Sequence, residues 1–214
     1  MPIADRRMNL DHPGTEIISD DTVWNGRFAL HVIKFRNRRF DGAMSGVRTW
    51  ELLCRGGAAS VVPYDPVSDQ VVVIDQFRLP ALAAGMDPVM TELCAGLRDG
   101  ADTAEQTIIR ESREEMGLEV TDLHRIGRFL LTPGGSEEHC TLFAGRVHVG
   151  ETGPDGIMGY HGLASENEDI RVRALPAQVA IDQAIAGLYP NSVATIGLLW
   201  LAARRDWLRA KWLA

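Results

Sequence analysis

The chain has 214 residues, near the upper end for a single domain, and 45% of them are hydrophobic while 24% are charged. This balance is typical of a folded globular protein and excludes an intrinsically disordered chain. The formal net charge of −7 disfavours non-specific binding to nucleic acid or to an anionic membrane surface.

Alternating or β-branched patterns predict strands in the first eighty residues. The predicted strands are 27–36, 47–56, 58–65 and 70–79. Residues 1 to about 20 show no such pattern and are predicted to be irregular. The run at 70–79 is rich in Val and Ile, which indicates a strand buried on both faces.

A helix is predicted at 103–117, where Thr103 can cap the first turn and Gly117 can end the last. The rest of the chain predicts two strands, two loops and two amphipathic helices. The strands are 123–131 and 140–149, the loops are 132–139 and 150–169, and the helices are 176–189 and 191–213. Loops as long as the second are often functional. This order of elements favours an α+β fold or an α/β/α sandwich with a mixed sheet.

Localisation signals and cysteine content both indicate a cytoplasmic protein. The N-terminal residues are too polar for a signal peptide, and no run of about 18 apolar residues predicts a membrane span. The three cysteines include no CxxC pair, so we expect neither a disulfide framework nor a zinc ribbon. We interpret them as small buried hydrophobic residues in a reducing compartment.

The stretch RESREEMG at the end of the predicted helix places five charges in its first six positions. Residues four apart share a helix face, so Glu111 and Glu115 lie together with Glu114 beside them. One interpretation is a solvated face with ion pairs to Arg110 and Arg113. A second is a site for Mg²⁺, which prefers oxygen ligands and bridges carboxylates to phosphates. A third is a general acid/base pair without metal.

From Gly96 the chain reads GLRDGADTAEQTIIRESREEMGL, which resembles the Nudix box. That pattern is Gly, five residues, Glu, seven residues, then Arg-Glu-apolar-any-Glu-Glu-any-Gly-apolar. The matching residues are Gly96, Arg110, Glu111, Glu114, Glu115, Gly117 and Leu118. Asp102 departs from the family's Glu and is one methylene shorter, and Ser112 stands where an apolar or small residue is usual.

The resemblance implies a Nudix fold, an α/β/α sandwich with a mixed central sheet, in which the box glutamates bind Mg²⁺ or Mn²⁺. Glu111 and Glu115 would be the main ligands, with Glu114 and the backbone carbonyl of Ala95 as further ligands. Arg110 would orient the glutamates through charge-assisted hydrogen bonds. The implied reaction is hydrolysis of a nucleoside diphosphate linked to another group, with the metal activating water and neutralising pyrophosphate charge.

The flanks of the box resemble bacterial ADP-ribose pyrophosphatases over roughly residues 20–212. The segments that carry this resemblance are VVVIDQFRLPA, LLTPGGSEEH and HGLASENEDIRV. By resemblance, Arg78 would bind a phosphate and Glu138 would line the substrate site; a surface arginine and a solvated acid are the alternatives. Glu166 would be the catalytic base on a mobile loop, with Glu168 as the alternative.

In this family the N-terminal strands recognise the base and are often exchanged between two subunits. Trp50 could stack on adenine with Arg27 on the other face, and Glu51 could accept from the amino group. Trp50 could equally belong to a dimer core. We therefore expect 1–56 to form an N-terminal antiparallel strand lobe for dimerisation and base binding, and 57–214 to form the catalytic domain.

The sequence thus predicts a homodimeric, Mg²⁺-dependent hydrolase that cleaves ADP-ribose to AMP and ribose 5-phosphate and binds neither nucleic acid nor membrane. Another nucleoside diphosphate sugar, such as GDP-mannose or UDP-glucose, is the enzymatic alternative. An alternative of another class is a non-catalytic domain that senses ADP-ribose. Retention of the box glutamates argues against the sensor.

Overall fold

The computed structural model describes residues 8–214, and within them lie eleven strands and four α-helices. The strands are β1 Thr15–Asn25, β2 Ala29–Asn37, β3 Arg48–Cys54, β4 Gly57–Asp65, β5 Gln70–Phe77, β6 Val89–Glu92, β7 Ala95–Leu97, β8 Thr121–Leu130, β9 His139–Arg146, β10 Ile157–His161 and β11 Ile170–Pro176. The helices are α1 Leu79–Ala83, α2 Ala104–Met116, α3 Ala177–Ile185 and α4 Ser192–Leu213. None of these helices combines the length and apolarity that crossing a membrane requires.

The chain divides into two compact units. The first ends at Gly57 and also includes Leu130–His139, whereas the second comprises Ala58–Phe129 and Cys140–Ala214. The first unit contains a three-stranded antiparallel sheet in the order β1-β2-β3. Leu130–His139 joins this unit through β3, since the Leu53 N–H donates to the Gly135 carbonyl at 2.9 Å.

The second unit is built on a larger sheet with a helical layer on each face. Its strand order is β10-β11-β5-β4-β9-β8, with β6 paired to β5 and β7 paired to β4. Val73 of β5 packs in one core cluster with Leu198 of α4, whereas the adjacent Ile74 packs in the other with Ile108 of α2. Because successive strand residues point to opposite faces, this alternation produces the predicted α/β/α sandwich.

The central strands β4 and β5 are buried on both faces, as the Val-rich run predicts. Residues Val71 to Ile74 are at most 1% exposed. Burial of each Val or Ile side chain contributes about 1.5–3 kcal/mol relative to exposure. The fold is therefore most strongly stabilised where β5 lies between the two helical layers, and α2 is attached to this rigid centre.

Two parts of the predicted secondary structure are wrong. The prediction of an irregular segment up to about residue 20 fails for Thr15 to Asp20, which lie in β1; residues 1–7 lie outside the described part. Most β1 side chains are exposed, and the strand is held by backbone pairing with β2. Its sequence therefore lacks the alternation of apolar and polar residues that would predict a strand. The predicted loop 150–169 contains β10 and two short 3₁₀ helices. Despite the Gly-rich sequence of this segment, its residues 157–161 pair with β11 at the edge of the sheet. Strands β6 and β7 and helix α1 were not predicted, because they are too short to show a period.

Candidate active site

Helix α2 carries the charged turn and is capped at both ends as predicted. The Thr103 hydroxyl accepts from the Gln106 N–H at 3.2 Å, while the Gln106 side chain accepts from the Thr103 N–H at 2.9 Å. This reciprocal pair is a capping box. Gly117 ends the helix in the left-handed conformation with a φ of 66°. Local sequence therefore fixes both ends of the helix that bears the glutamates.

The two departures from the box are accommodated in different ways. Ser112 is fully buried, and its hydroxyl donates to the Ile108 carbonyl at 2.6 Å, so its polarity is satisfied within its own helix. Asp102 contributes its backbone carbonyl, which accepts from the Nε and Nη2 atoms of Arg98 at 2.9 and 2.5 Å. The loop before α2 is thus held by a main-chain group that does not depend on the side chain at 102.

Glu115 is a buried carboxyl group and Glu111 a partly buried one, and the ionised forms of both are poorly stabilised. Glu115 is 4% exposed, and one of its oxygens accepts from the Ala95 N–H at 3.1 Å. The pKa of Glu115 is raised to about 8, mainly by burial and to a smaller extent by the charge of Glu111. Burial likewise raises the pKa of Glu111 to about 7, against the opposing effect of Arg110. Both groups are therefore placed where a bound cation would favour the carboxylate.

Gly96 of β7 provides the space that Glu111 occupies. A Cβ atom at this position would overlap the carboxyl group of Glu111. Gly96 pairs with Ala59 of β4, so the strand cannot shift to admit a side chain without breaking the sheet. The glycine of the box is thus required for close packing of strand and helix, and a side chain there would displace the carboxylate.

Arg110, the predicted orienting residue, contacts two of the three box glutamates. Its Nη2 lies 2.8 Å from Glu111 Oε1, and its Nη1 donates to Glu114 Oε2 at 2.7 Å. One guanidinium thus fixes two carboxylates on the same helix face, and the charge of Glu114 is compensated more fully than that of the buried Glu115.

The donor chemistry fits a hard divalent cation, although no three His, Cys, Asp or Glu side chains within residues 8–214 already surround one metal position. Three carboxylates project from the last two turns of α2, and two of them have raised pKa values. Oxygen donors of this type suit Mg²⁺ or Mn²⁺. The backbone of Ala95, the fourth predicted donor, lies against Glu115 through the N–H contact.

The acidic loop after β10 lies beside α2 and brings Glu168 rather than Glu166 toward the glutamates. The Gly162 N–H donates to the Glu114 carbonyl at 3.2 Å, which attaches the loop to the helix. Glu168 accepts from the Leu163 N–H at 3.1 Å, and its charge adds to the burial effect that raises the pKa values of Glu111 and Glu115. Glu166, the predicted base, ends a 3₁₀ helix with an exposed side chain.

Arg78, the predicted phosphate ligand, follows β5 and is held by Glu92, an acid that was not predicted to belong to the site. Its Nε and Nη2 donate to the same oxygen of Glu92 at 3.0 and 2.7 Å. The Arg78 side chain nevertheless remains 41% exposed, so part of it is accessible to a ligand. Glu92 belongs to the short strand β6, which carries no period that could have revealed it.

The predicted base-binding residues lie in the first unit and are not gathered into one cluster there. Trp50 donates from its indole N–H to the Gly134 carbonyl at 2.9 Å, and the cation over its ring is Arg48, 5.0 Å from the ring centre. Glu51 follows Trp50 in β3, so its side chain points to the opposite face of the sheet. Arg27 lies 5.8 Å from the ring of Phe28.

Glu138 of the first unit is engaged in an ion pair. Its Oε2 accepts from Arg55 Nη1 at 2.6 Å, and the Arg55 guanidinium lies 4.5 Å from the centre of the Phe28 ring. The Arg55 Nε atom is buried and has no hydrogen-bond partner among the described residues. Arg55 was not predicted, because its contact with Glu138 joins segments that are distant in the chain. Arg48 was not predicted either, although it lies two residues before Trp50 on the same face of β3, a spacing that could have identified it.

Known proteins resemble this chain along most of its length. The NUDIX domain family profile matches residues 55–189. The ADP-ribose pyrophosphatase of Haemophilus influenzae is 36% identical over 200 residues, which cover 92% of this chain and 90% of that protein. The Escherichia coli protein of the same name is 36% identical over 197 residues, 92% of each chain. The GDP-mannose pyrophosphatase of Yersinia enterocolitica is 31% identical over 167 residues, 78% of this chain and 83% of that protein.

The fold is also found in a solved structure of low sequence identity. A crystal structure of an ADP compounds hydrolase superposes with a TM-score of 0.62 at 18% identity, covering 94% of this chain and 97% of that one. Hydrolases of the matched family generally need a divalent metal ion, which agrees with the donor chemistry of α2. The sequence identity, the family profile and the capped, glutamate-bearing helix agree, and the chain belongs to the Nudix family of hydrolases.

Proposed function

We propose that the protein hydrolyses ADP-ribose to AMP and ribose 5-phosphate with Mg²⁺. The observation that carries this proposal is the pair formed by the buried Glu115 and the partly buried Glu111, in a chain that is 36% identical over 92% of its length to proteins named ADP-ribose pyrophosphatase. Ionised carboxylates at these positions are costly unless a cation accompanies them. A cation bound at these positions would also compensate the negative charge of the substrate diphosphate.

The metal would be held by Glu111, Glu114 and Glu115 together with the carbonyl of Ala95. When bound, it would lower the pKa of a coordinated water and neutralise charge on the diphosphate oxygens. Arg110 donates to Glu111 and Glu114 and so keeps their oxygens on one side of α2. The N–H of Ala95 does the same for Glu115. These contacts reduce the reorganisation that ligand binding would require.

We propose that an acid of the loop after β10 accepts the proton of the attacking water. Glu166 is the residue that the family resemblance assigns, and its side chain is exposed to solvent. The electrostatic effect of Glu168 on Glu111 and Glu115 supports Glu168 as the alternative. Either carboxylate could act as a general base, because both are on the segment attached to α2 through Gly162.

Substrate-binding roles are proposed for Arg78 and, in the first unit, for Glu138 and the Trp50 region. Arg78 would bind phosphate through the exposed part of its guanidinium. Base recognition would involve Trp50, with Arg27 and Glu51 as further candidates. We also propose a homodimer that exchanges N-terminal strands, because the first unit exposes large apolar side chains that a second copy could cover. These include Ile18, Trp24 and Phe40.

GDP-mannose is the second candidate substrate. The observation that favours it is the 31% identity to a GDP-mannose pyrophosphatase, over a smaller part of the chain than the ADP-ribose relatives cover. Both substrates carry a diphosphate, so the α2 carboxylates and Arg78 would serve either one. The two candidates differ in the base and the sugar, and only turnover can rank them.

The first experiment measures nucleotide release with Mg²⁺ and with EDTA from ADP-ribose, NADH, diadenosine polyphosphates, GDP-mannose and UDP-glucose. We expect AMP release from ADP-ribose to be fastest and to require Mg²⁺. Faster release of GMP or UMP would identify a different substrate, hydrolysed by the same metal chemistry. Binding of ADP-ribose without turnover of any compound would refute the enzymatic proposal and favour a sensor.

A further inference from the structure

Glu92 is a buried acid that lies outside the box and has four hydrogen-bond donors. Its side chain is 7% exposed. One oxygen accepts from Gln76 Nε2 at 3.0 Å and from two nitrogens of Arg78, while the other accepts from Asn191 Nδ2 at 2.7 Å. A buried carboxylate with this many donors is a fixed anchor rather than a mobile group.

The contact with Arg78 restricts the guanidinium in both position and orientation. Nε and Nη2 donate to the same Glu92 oxygen, so the plane of the group is set by two bonds. An unrestrained arginine side chain would lose rotamer freedom when it bound an anion. Glu92 imposes that restriction before any ligand binds, and the Arg78 side chain still has exposed surface.

Asn191 connects this anchor to the core of the second unit. Its Nδ2 donates to Glu92, while its Oδ1 accepts from the Ala194 N–H at 3.0 Å and so caps helix α4. Ala194 and Leu198 of α4 are fully buried in the core. Glu92 is therefore held from two sides, by β5 through Gln76 and by the start of α4 through Asn191.

We propose that Glu92 is a positioning residue, which presents the Arg78 guanidinium to the diphosphate of the substrate, with Asn191 holding Glu92 in place. The inference rests on the proposed phosphate-binding role of Arg78 and goes beyond it by assigning a role to two residues that do not touch substrate. Loss of the anchor weakens diphosphate binding and leaves the metal-binding carboxylates of α2 unchanged.

The test compares Glu92→Gln, Arg78→Ala and the double variant in steady-state hydrolysis of ADP-ribose, or of whichever diphosphate the wild-type protein cleaves. We expect Glu92→Gln to raise KM about tenfold, because a charge-assisted pair becomes a neutral one, with kcat within about twofold of wild type. In the Arg78→Ala background, Glu92→Gln should raise KM no further. An equal effect in both backgrounds would show that Glu92 does not act through Arg78.

Asn191→Asp provides a second variant that keeps the cap of α4. Asp is as good a helix cap as Asn, yet it places a carboxylate against Glu92 where an amide donor was. We expect this variant to raise KM in the same direction as Glu92→Gln. Unchanged KM in both variants would overturn the positioning role.

Asp65→Asn is the matched control for loss of a buried carboxylate. Asp65 is 1% exposed and accepts from the N–H groups of Val67 and Val149, at the end of β4 that pairs with the start of β5, away from Arg78. The Asp65→Asn substitution should lower the melting temperature without raising KM. If Arg78→Ala leaves KM unchanged, the phosphate role itself is wrong; if Arg78→Ala raises KM and Glu92→Gln does not, only the positioning inference is wrong.

Discussion

Replacing Glu115 by Gln should make the metal-free protein more stable while abolishing turnover. The substitution keeps the shape of the side chain and an oxygen that can accept from the Ala95 N–H, and it removes only the ionisable group. Burial raises the pKa of Glu115 from 4.5 to about 8 in the folded protein. The folded state therefore binds this proton more tightly than the unfolded state does, and stability falls as pH rises through this range.

The size of the effect follows from the pKa difference. At pH 7 the Glu115 side chain is mostly protonated in the folded state and ionised in the unfolded state. The free-energy difference accumulates over the roughly 2.5 pH units between the unfolded pKa and pH 7, at about 1.4 kcal/mol per unit. Wild-type folding without metal is therefore disfavoured by about 3 kcal/mol relative to a neutral isostere. For a chain of this length, that corresponds to about 6–12 °C in melting temperature.

The assay is thermal unfolding of both proteins in EDTA between pH 5 and pH 8, repeated with excess Mg²⁺. The variant should melt higher than wild type at pH 7 in EDTA, with the difference shrinking toward pH 5. Mg²⁺ should stabilise wild type and have little effect on the variant, because a ligand stabilises only the state that binds it. A variant that melts at or below wild type at pH 7 in EDTA would refute the account of Glu115 as an uncompensated buried acid.

Four further substitutions test the remaining parts of the site. Glu166→Gln and Glu168→Gln, compared by kcat at fixed Mg²⁺, should differ by about tenfold or more, with the larger loss identifying the base; equal, small losses would exclude both. Gly96→Ala should lower kcat by about a hundredfold by displacing the Glu111 carboxyl group, and a crystal structure with Glu111 unmoved would contradict this cause. Ser112→Ala removes a hydroxyl that donates within its own helix and otherwise only lies 3.9 Å from Cys94 Sγ, so chemical denaturation should show a change of about 1 kcal/mol or less, with kcat unchanged; a loss above about 3 kcal/mol would contradict this account of the hydroxyl.

The sequence predicted what depends on local chemistry. Thr103 and Gly117 are caps that act within one turn, so both ends of α2 could be predicted directly from the residues at those positions. The buried strand β5 was equally clear from its composition. The pairing of β1 was not, because its side chains are mostly exposed and its partner is a separate strand.

The residues of the candidate site likewise differ in whether local sequence predicts them. The α2 glutamates follow from spacing along one helix, whereas the ion pair of Arg55 with Glu138 joins residues 83 positions apart. The Glu92–Asn191 contact spans 99 positions. No periodicity or motif reports such contacts, because they arise only when separate elements pack together.

The position of β5 between β4 and β11 has a consequence for synthesis of the chain. Val72 of β5 pairs with Ala174 of β11, about a hundred residues later. At a translation rate of about 5–20 residues per second, this edge of β5 waits about 5–20 s for its partner. During that time a Val- and Ile-rich strand presents unpaired backbone groups, the type of segment that associates with other chains. We therefore expect the nascent protein to be most prone to aggregation, and most in need of a chaperone, after β5 has emerged and before β11 has.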